Sequence, residues 1–301
     1  TAQPVAGGTW ASGGDLNTAR TRFGGAGQAT QSAALVFGSG SPPYGQTEEY
    51  NGTAWTEGND LNNGRYISPG GAGTQTAALT AGGYDLAGSP AYNTVYSETY
   101  NGTSWTEGND LNEGRLDCVT FGSSTAGILV GGAEAAGGPG TVTSVEIYNG
   151  TSWTATTSLP TATQEMAGWG IQTSGAIVGG SLDSDPTMKN TTVEWDGTSW
   201  SAGGNYSRNN KYFQAFGTSV SSGLAAGGEN PGESPARLSI AAVYNGTSWS
   251  EVAELSSARY GTAGGGTTTS GLISGGETAP GTVASTEEWT VPEANSTITV
   301  S

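Results

Sequence analysis

Apolar residues occur along this chain in short runs that are separated by glycine-rich or polar turns. Runs that end in Gly-Gly, such as 77–83 (AALTAGG) and 127–132 (GILVGG), are followed by a polar stretch of varied content. A run with an aromatic residue comes next, and then a run that begins with tryptophan. Such runs are typical of β-strands and too short for ordinary helices, so the pattern predicts an all-β chain.

The same order of runs is repeated six times. Tryptophan marks each repeat, at intervals of 45, 50, 48, 47 and 49 residues: Trp10, Trp55, Trp105, Trp153, Trp200 and Trp249. We assign these tryptophans a structural role, and we name the four strands of a repeat a, b, c and d in chain order. Six repeats of four antiparallel strands predict a six-bladed β-propeller.

The two ends of the chain complement each other. Residues 8–16 resemble a strand d that lacks its strand c, while 286–290 resemble a strand c that lacks its strand d. We therefore expect a single domain over 1–301, in which the N-terminal strand (8–16) completes the last blade (259–290) and 291–301 form a C-terminal extension. Pairing of the first strand with the last blade would remove an open sheet edge.

An Asn-Gly pair lies between strands c and d in four repeats, at 51–52, 101–102, 149–150 and 245–246, and Asp-Gly replaces it at 196–197. Asn-Gly is the preferred pair of a two-residue type I′ turn, which needs positive φ at both positions. The sequence therefore predicts a type I′ hairpin in each repeat.

The order Gly-Gly, aromatic strand, turn, tryptophan, leucine and basic residue resembles the kelch repeat over the whole chain. The form YNGTSWTEGNDLN is similar to kelch-like repeats of marine bacteria and their phages. This resemblance implies a propeller that serves as a surface or virion component.

The net charge and the residue composition argue against several classes of partner and cofactor. The formal net charge is −17 with a pI of about 4.1, which argues against nucleic acid or an anionic membrane as partner. No apolar run is long enough for a membrane helix, so we expect no membrane insertion. Histidine is absent, and Cys118 is the only cysteine. We expect no cofactor and no bound metal, because copper chemistry of the kind found on some propellers needs imidazole ligands.

Arginine and glutamate occur together in the repeats. Arginine lies ten residues after the tryptophan in four repeats, and those four repeats have a glutamate two residues before the strand c aromatic; the pairs are Arg20 and Glu48, Arg65 and Glu98, Arg115 and Glu146, and Arg259 and Glu287. The other two repeats lack both residues. Buried ion pairs within the blades explain this pattern, because a lone buried charge is costly. The alternative is a ring of arginines that binds an acidic ligand.

The loops between strands b and c differ in length and content, whereas the c-to-d turns are alike. Variable loops on a rigid scaffold commonly carry binding residues. We expect a glycan or protein ligand on this face, with contacts from Tyr44, Tyr84, Tyr92, Asp183, Asp185, Lys189 and Arg237. The Asp-x-Asp spacing in 181–187 leaves open whether calcium binds there, although the loop lacks the glycine and the distal glutamate of an EF-hand.

The sequence favours a non-enzymatic binding or structural module over an enzyme. We expect an extracellular or virion-surface protein, such as a phage tail or capsid decoration or an adhesin, whose partner is a protein of the same particle or a host-surface glycan or protein. The oligomeric state stays open. The alternative is a glycan-active propeller enzyme, sialidase-like or glycosidase-like. An enzyme should bring unpaired acidic or basic residues together at one channel mouth, whereas a binding module should show scattered tyrosines and loops.

Overall fold

A computed structural model describes residues 7–67, 70–86, 92–134, 140–182 and 188–292, with Tyr92 described by its backbone alone. This part of the chain contains 28 strands and no helix, and six four-stranded antiparallel sheets form the blades of a ring. The predicted all-β, six-bladed β-propeller is therefore confirmed. In the described residues, no helix is long and apolar enough to cross a membrane.

The strands are numbered in chain order. The first half contains β1 (Thr9–Ser12), β2 (Gly24–Gly25), β3 (Leu35–Phe37), β4 (Thr47–Tyr50), β5 (Trp55–Glu57), β6 (Ala72–Thr74), β7 (Ala77–Ala81), β8 (Tyr84–Asp85), β9 (Tyr92–Asn93), β10 (Ser97–Tyr100), β11 (Trp105–Glu107), β12 (Arg115–Leu116), β13 (Val119–Ser123) and β14 (Ala126–Val130). The second half contains β15 (Ala133–Glu134), β16 (Val145–Tyr148), β17 (Trp153–Ala155), β18 (Ala167–Ile171), β19 (Ser174–Val178), β20 (Thr192–Trp195), β21 (Trp200–Ala202), β22 (Gln214–Ser219), β23 (Ser222–Ala226), β24 (Ala241–Tyr244), β25 (Trp249–Glu251), β26 (Ala263–Gly266), β27 (Ser270–Ser274) and β28 (Thr286–Thr290).

Each blade runs from an inner strand a to an outer strand d. Blades 1 to 5 are β2 to β5, β6-β7-β10-β11, β13-β14-β16-β17, β18 to β21 and β22 to β25, and blade 6 is β26-β27-β28-β1. Two short two-stranded sheets, the hairpin β8–β9 and the pair of β12 with β15, extend the side on which the b-to-c connections lie.

The ring closes through its first strand. β1 pairs antiparallel with β28, and Trp10 lies opposite Trp289 in the register. The predicted closure of the last blade by the N-terminal strand is thereby confirmed. Closure removes the unpaired edge that blade 6 would otherwise expose.

An aromatic residue of strand c packs against the tryptophan of strand d in every blade. The ring centroids are 4.9 Å apart for Tyr50 and Trp55 and 5.3 Å apart for Trp10 and Trp289. Hydrogen bonds also join neighbouring blades. For example, the Tyr100 hydroxyl of blade 2 donates to Oε1 of Glu49 in blade 1 at 2.5 Å. The repeated tyrosine and tryptophan thus hold strands together within a blade and blades together within the ring.

The predicted type I′ hairpin is wrong. Gly52 has a φ of +89°, but Asn51 is not among the residues with positive φ, and the register pairs Tyr50 with Trp55 around a four-residue loop. The Asn51 side chain explains the difference, since its Oδ1 accepts hydrogen bonds from the amides of Thr53 and Ala54, both at 2.9 Å. Asparagine is therefore required here for side-chain capping and glycine for its positive φ.

The inner strands approach closely around the axis because they are rich in glycine. A Cβ on Gly25 would lie 2.7 Å from the backbone nitrogen of Gly264 in blade 6. A cavity of about 10 Å³ lies between the inner strands and is lined by glycines together with Gln28, Thr120, Gln214, Phe121, Trp169 and Phe216. This cavity offers room for about one water molecule.

Candidate functional site

Four blades contain a buried arginine whose guanidinium contacts the glutamate of the same blade. The four contacts are Arg20 Nη2 with Glu48 Oε1, Arg65 Nη1 with Glu98 Oε1 at 2.5 Å, Arg115 Nη2 with Glu146 Oε1 at 2.5 Å, and Arg259 Nη2 with Glu287 Oε1 at 2.9 Å. Arg65 Nε also donates to the carbonyl oxygen of Gly82, the first glycine of a Gly-Gly pair. These guanidinium groups are engaged inside the blades, so they are not available to a ligand at the axis.

A second column of residues, two positions after these arginines, surrounds the axis where the inner strands begin. It consists of Arg22, Ile67, Asp117, Glu165, Tyr212 and Gly261. Arg22, Asp117, Glu165 and Tyr212 all have positive φ, between 52° and 60°. Left-handed backbone is unfavourable for these residue types and is frequently retained where a side chain serves a function.

Backbone hydrogen bonds connect successive members of this column around the channel mouth. The amide of Glu165 donates to the carbonyl of Asp117 at 2.9 Å, and the amide of Tyr212 donates to the carbonyl of Glu165 at 3.1 Å. Gly261 continues the chain of bonds to Tyr212 at 2.7 Å, and Arg22 bonds to Gly261 at 2.8 Å. This series of four bonds holds side chains from separate blades at one mouth, on the side of the b-to-c loops.

Two acid–tyrosine pairs lie at this mouth. The Tyr66 hydroxyl donates a hydrogen bond to Oδ1 of Asp117, and the Tyr212 hydroxyl donates to Oε1 of Glu165 at 2.5 Å. The second acid is paired further, since its Oε2 lies 3.1 Å from Lys211 Nζ. All four members of the two pairs are buried. We call Arg22, Tyr66, Asp117, Glu165, Lys211 and Tyr212 the mouth cluster.

Arg22 lies between the two tyrosines. Its guanidinium carbon is 4.7 Å from the ring centroid of Tyr212 and 5.7 Å from that of Tyr66. Although burial opposes its charge, the facing phenol groups and the Asp117 carboxyl raise the pKa of Arg22 above its usual value. Among the residues that the structure describes, Arg22 makes no ion pair, so the guanidinium is available to an anionic group of a ligand.

Asp117 is the most perturbed carboxyl group of the mouth cluster. Burial raises the pKa of Asp117 to about 7, and the charge of Glu165 acts in the same direction. The hydrogen bond from Tyr66 and the cations Arg22 and Lys211 lower the pKa and only partly offset burial. A carboxyl group that titrates near neutral pH can both donate and accept a proton, as general acid–base catalysis requires.

A cavity of about 460 Å³ opens beside the mouth cluster. It is lined by Arg22, Tyr66 and Asp117, and on its outer side by Tyr84, Asn93 and Glu134. The hairpin β8–β9 and the pair of β12 with β15 supply this outer wall. The volume lies within the range of small-molecule sites, which is roughly 300 to 1,000 Å³.

The structure separates the loop residues that the sequence analysis grouped as ligand contacts. Tyr84 lines the cavity, whereas Tyr44 is half-buried in the b-to-c connection of blade 1 and does not line it. Tyr92 lies in β9, and Asp183 and Asp185 lie outside the described residues, as does most of the loop 181–187. In the described part of the chain, no group of three or more histidine, cysteine, aspartate or glutamate residues could hold a metal ion.

The two basic loop residues have partners within the protein. Lys189 Nζ donates to the carbonyl of Ala162 at 2.7 Å and lies away from the mouth cluster. Arg237 Nη2 forms an ion pair with Glu277 Oε1 at 2.7 Å, and its guanidinium lies 5.5 Å from the ring centroid of Tyr260. Neither residue lines the 460 Å³ cavity.

The sequence analysis predicted a binding site on the b-to-c face but named none of the residues of the mouth cluster. The column that contains Arg22, Asp117, Glu165 and Tyr212 follows the arginine column by two residues. The overlooked signal is variation at one position of the repeat. That position is basic in one repeat, acidic in two and a tyrosine in another, although the repeats otherwise share the same order of residues. A position that varies on a repeated scaffold is where repeats specialise.

Comparisons with known proteins give a match at the level of fold. No protein-family model matches the chain, and no curated protein matches it either. A solved structure described as "Structure of YjhT" matches with a TM-score of 0.76 and 16% sequence identity, over 93% of this chain and 97% of that chain. At this identity the likeness shows the propeller fold, and the kelch and marine-phage resemblances stay predictions.

The prediction that this chain is not an enzyme is wrong. The finding against it is the match to the propeller described as "Structure of YjhT"; that match is a likeness of fold, so enzymatic activity itself is stated below as a proposal. The geometry agrees with the correction, because acidic and basic residues converge at one channel mouth, which is the arrangement expected of a propeller enzyme. Two of these residues, Arg22 and Asp117, make no ion pair within the described part of the chain. A binding module was expected to show scattered tyrosines and loops in place of such charged residues.

Proposed function

We propose that this protein is a glycan-active propeller enzyme whose active site is the mouth cluster. The observation that carries the proposal is that Arg22 and Asp117 line one cavity, while Glu165 is joined to Asp117 by a backbone hydrogen bond at the same channel mouth. Such a combination of a free cation and two differently placed carboxyl groups suits chemistry at a sugar that bears an acidic group.

The two acids have environments that suit different roles. Asp117 has a pKa of about 7, so it holds a proton for donation to a leaving oxygen near neutral pH. Glu165 is paired with Lys211 and accepts hydrogen bonds from Tyr212 and Ser181. Glycoside chemistry uses two carboxyl groups that lie in different environments at one site.

Substrate recognition is assigned to the remaining groups. Arg22 would bind a carboxylate of the sugar through charge-assisted hydrogen bonds. Tyr66, Tyr84 and Asn93 also line the cavity and add two phenols and an amide to its wall. The site departs from a sialidase pattern in one respect, because it offers one unpaired arginine and not an arginine cluster, so the proposal names acidic glycans as a class.

The test is turnover of fluorogenic 4-methylumbelliferyl glycosides that carry neutral sugars, uronic acids or sialic acid. We expect release from the acidic glycosides, loss of release in Asp117→Asn, and unchanged release in Asp196→Asn. Asp196 is an exposed turn residue on the opposite face, so it controls for the same chemical change away from the site. Absence of release from every glycoside, or equal turnover by both variants, would contradict the proposal.

Kelch-type repeats and a location on a cell or virion surface remain proposals of ours. The order of glycines, aromatic strand and tryptophan supports the first, and a net charge of −17 without nucleic-acid-binding character is compatible with the second. A partner in the same particle or on a host surface would then present the glycan. Binding of the purified protein to intact cells or virions, compared with Asp117→Asn, would test this.

A further inference from the structure

Blade 4 differs from the blades that contain a buried ion pair. Thr163 and Val193 occupy the positions that hold arginine and glutamate in blades 1, 2, 3 and 6. Pro160 takes the position at which Asn17, in blade 1, donates its amide to Glu48 at 2.8 Å. Blade 4 has therefore lost the guanidinium, the carboxylate and a donor to that carboxylate together.

A different cation is present in blade 4. Lys189 reaches from the b-to-c connection, and its Nζ donates to the carbonyl of Ala162 at 2.7 Å and to Oγ1 of Thr163 at 2.8 Å. The lysine is half-buried, and burial lowers its pKa. In the described part of the chain, no carboxylate forms an ion pair with it. Within the described residues, this partly buried ammonium group has two neutral acceptors, so one of its three donors is left without an acceptor there.

A cavity of about 430 Å³ lies beside Lys189, where the ion pair would otherwise fill space. Its apolar wall consists of Leu159, Ile177, Val193 and Trp200, and its polar side consists of Lys189, Thr161 and Thr163. Trp200 is half-buried, whereas the corresponding Trp55, Trp105 and Trp153 are each only 5% exposed. Trp10 and Trp249 are half-buried as well, so the relevant observation is that the Trp200 side chain lines this cavity.

Blade 5 shows that loss of the ion pair does not by itself produce this arrangement. Asn210 and Ala242 replace arginine and glutamate there, and the buried Asn210 amide donates to the carbonyl of Gly227 at 2.8 Å. Blade 5 therefore replaces two charges with neutral groups. Among the described residues, blade 4 keeps a cation at Lys189 and has Val193 in place of the glutamate, and this difference points to a ligand.

We propose that the blade 4 cavity binds a small organic carboxylate with an apolar or aromatic body. Its carboxylate accepts a hydrogen bond from Lys189, and so supplies the negative charge that glutamate supplies in four other blades. Its body packs against Leu159, Ile177 and Trp200. This site lies in the wall of blade 4 and is separate from the mouth cluster, so it is a second site with an effector or accessory role.

The experiment uses indole-3-acetate as probe and 2-(indol-3-yl)ethanol, which has a similar shape and no charge, as its neutral counterpart. Binding to the full chain is measured by isothermal titration and by ligand-observed NMR. We expect indole-3-acetate to bind at least about tenfold more tightly than the alcohol, because a hydrogen bond to a charged group is the stronger kind.

Two variants test the site itself. Val193→Glu places a carboxylate of the protein beside Lys189 and within the cavity, so it should abolish binding of indole-3-acetate. Lys189→Met should reduce the affinity for the carboxylate at least about tenfold and leave the affinity for the alcohol nearly unchanged. Arg208→Met, which removes an exposed cation in an ion pair with Glu233, is the control for net charge and should bind as the parent does.

Two results would overturn the proposal: equal affinity for the acid and the alcohol, or full binding by a folded Val193→Glu variant. Circular dichroism establishes whether each variant is folded, and Val193→Glu keeps the test decisive if Lys189→Met does not fold. Because the mouth cluster is unchanged in all of these variants, failure here leaves the proposed glycan activity to its own test.

Discussion

The hydroxyl of Tyr66 donates a hydrogen bond to Oδ1 of Asp117, and so connects the segments that enter blades 2 and 3. Both residues are buried, and Asp117 also carries left-handed backbone. A carboxyl group placed in this way costs stability whenever it is charged. The pair therefore links the stability of the fold to the protonation of one side chain at the channel mouth.

The first prediction concerns stability as a function of pH. The folded-state pKa of Asp117, about 7, lies above the ordinary value of 3.8, so the folded protein binds this proton more tightly than the unfolded chain. The stability that protonation provides is complete below about pH 4 and is lost as the pH rises through 7. Asp117→Asn should remove this loss.

Urea unfolding at pH 5 and pH 8 measures the effect. Relative to the parent, Asp117→Asn should gain a few kcal/mol at pH 8 compared with pH 5, since each pKa unit corresponds to about 1.4 kcal/mol. Asp196→Asn, an exposed control, should follow the parent. Parallel pH curves for Asp117→Asn and the parent would show that the carboxyl group does not titrate as described.

The second prediction concerns the hydrogen bond itself. Donation from Tyr66 lowers the pKa of Asp117 and partly offsets burial, so Tyr66→Phe should raise that pKa above about 7. The measurement is a ¹³C NMR titration of the Asp117 carboxyl carbon, which needs no substrate. Tyr260→Phe removes a phenol hydroxyl that is hydrogen-bonded to Glu277 and not to Asp117, so it should leave the titration of Asp117 unchanged. A lower pKa in Tyr66→Phe would contradict the prediction.

The third prediction concerns the ion pairs inside the blades. Arg65→Met leaves the buried Glu98 without its cation and should cost about 3 to 5 kcal/mol of unfolding free energy. Adding Glu98→Gln should recover part of this loss, because the remaining group is then neutral and can still accept from Asn62. The exposed Arg208–Glu233 pair provides the contrast, since Arg208→Ala should cost at most about 1 kcal/mol. Equal costs for the buried and the exposed arginine in urea unfolding would refute this account.

The repeat made the fold predictable, because tryptophan spacing and Gly-Gly pairs report a frame that every blade shares. Backbone conformation was less accessible, since Asn51 caps its turn through a side chain that the Asn-Gly pair alone does not reveal. The mouth cluster was missed because its members come from five separated segments. These residues meet because backbone hydrogen bonds join Asp117, Glu165, Tyr212, Gly261 and Arg22 in series. No local sequence pattern encodes these bonds.

The fourth prediction concerns Cys118. The thiol is buried, and burial raises its pKa to about 11, so little thiolate is present at pH 8. In the native protein, we expect reaction with 5,5′-dithiobis(2-nitrobenzoate) to be slow, whereas in urea it should be complete and rapid. Rapid labelling of the folded protein would show that the segment before β13 opens readily, which would contradict its packing.

The fifth prediction concerns ring closure. A Cβ on Gly8 would lie 2.1 Å from Cζ2 of Trp289, so Gly8→Ala must displace β1 from β28 or move a fully buried indole. Overpacking of this kind costs about 1 to 3 kcal/mol. Gly281→Ala is the matched control, because nothing lies within 4 Å of its added Cβ, and it should change stability by less than about 0.5 kcal/mol.

Displacement of β1 should also have a consequence for association. Without β1, the edge of β28 presents unpaired backbone groups that can pair with another chain. Light scattering during mild warming should therefore detect self-association of Gly8→Ala at temperatures at which Gly281→Ala and the parent both stay monodisperse. If both variants behave as the parent does in unfolding and in scattering, then pairing of β1 with β28 is not what closes and protects the ring.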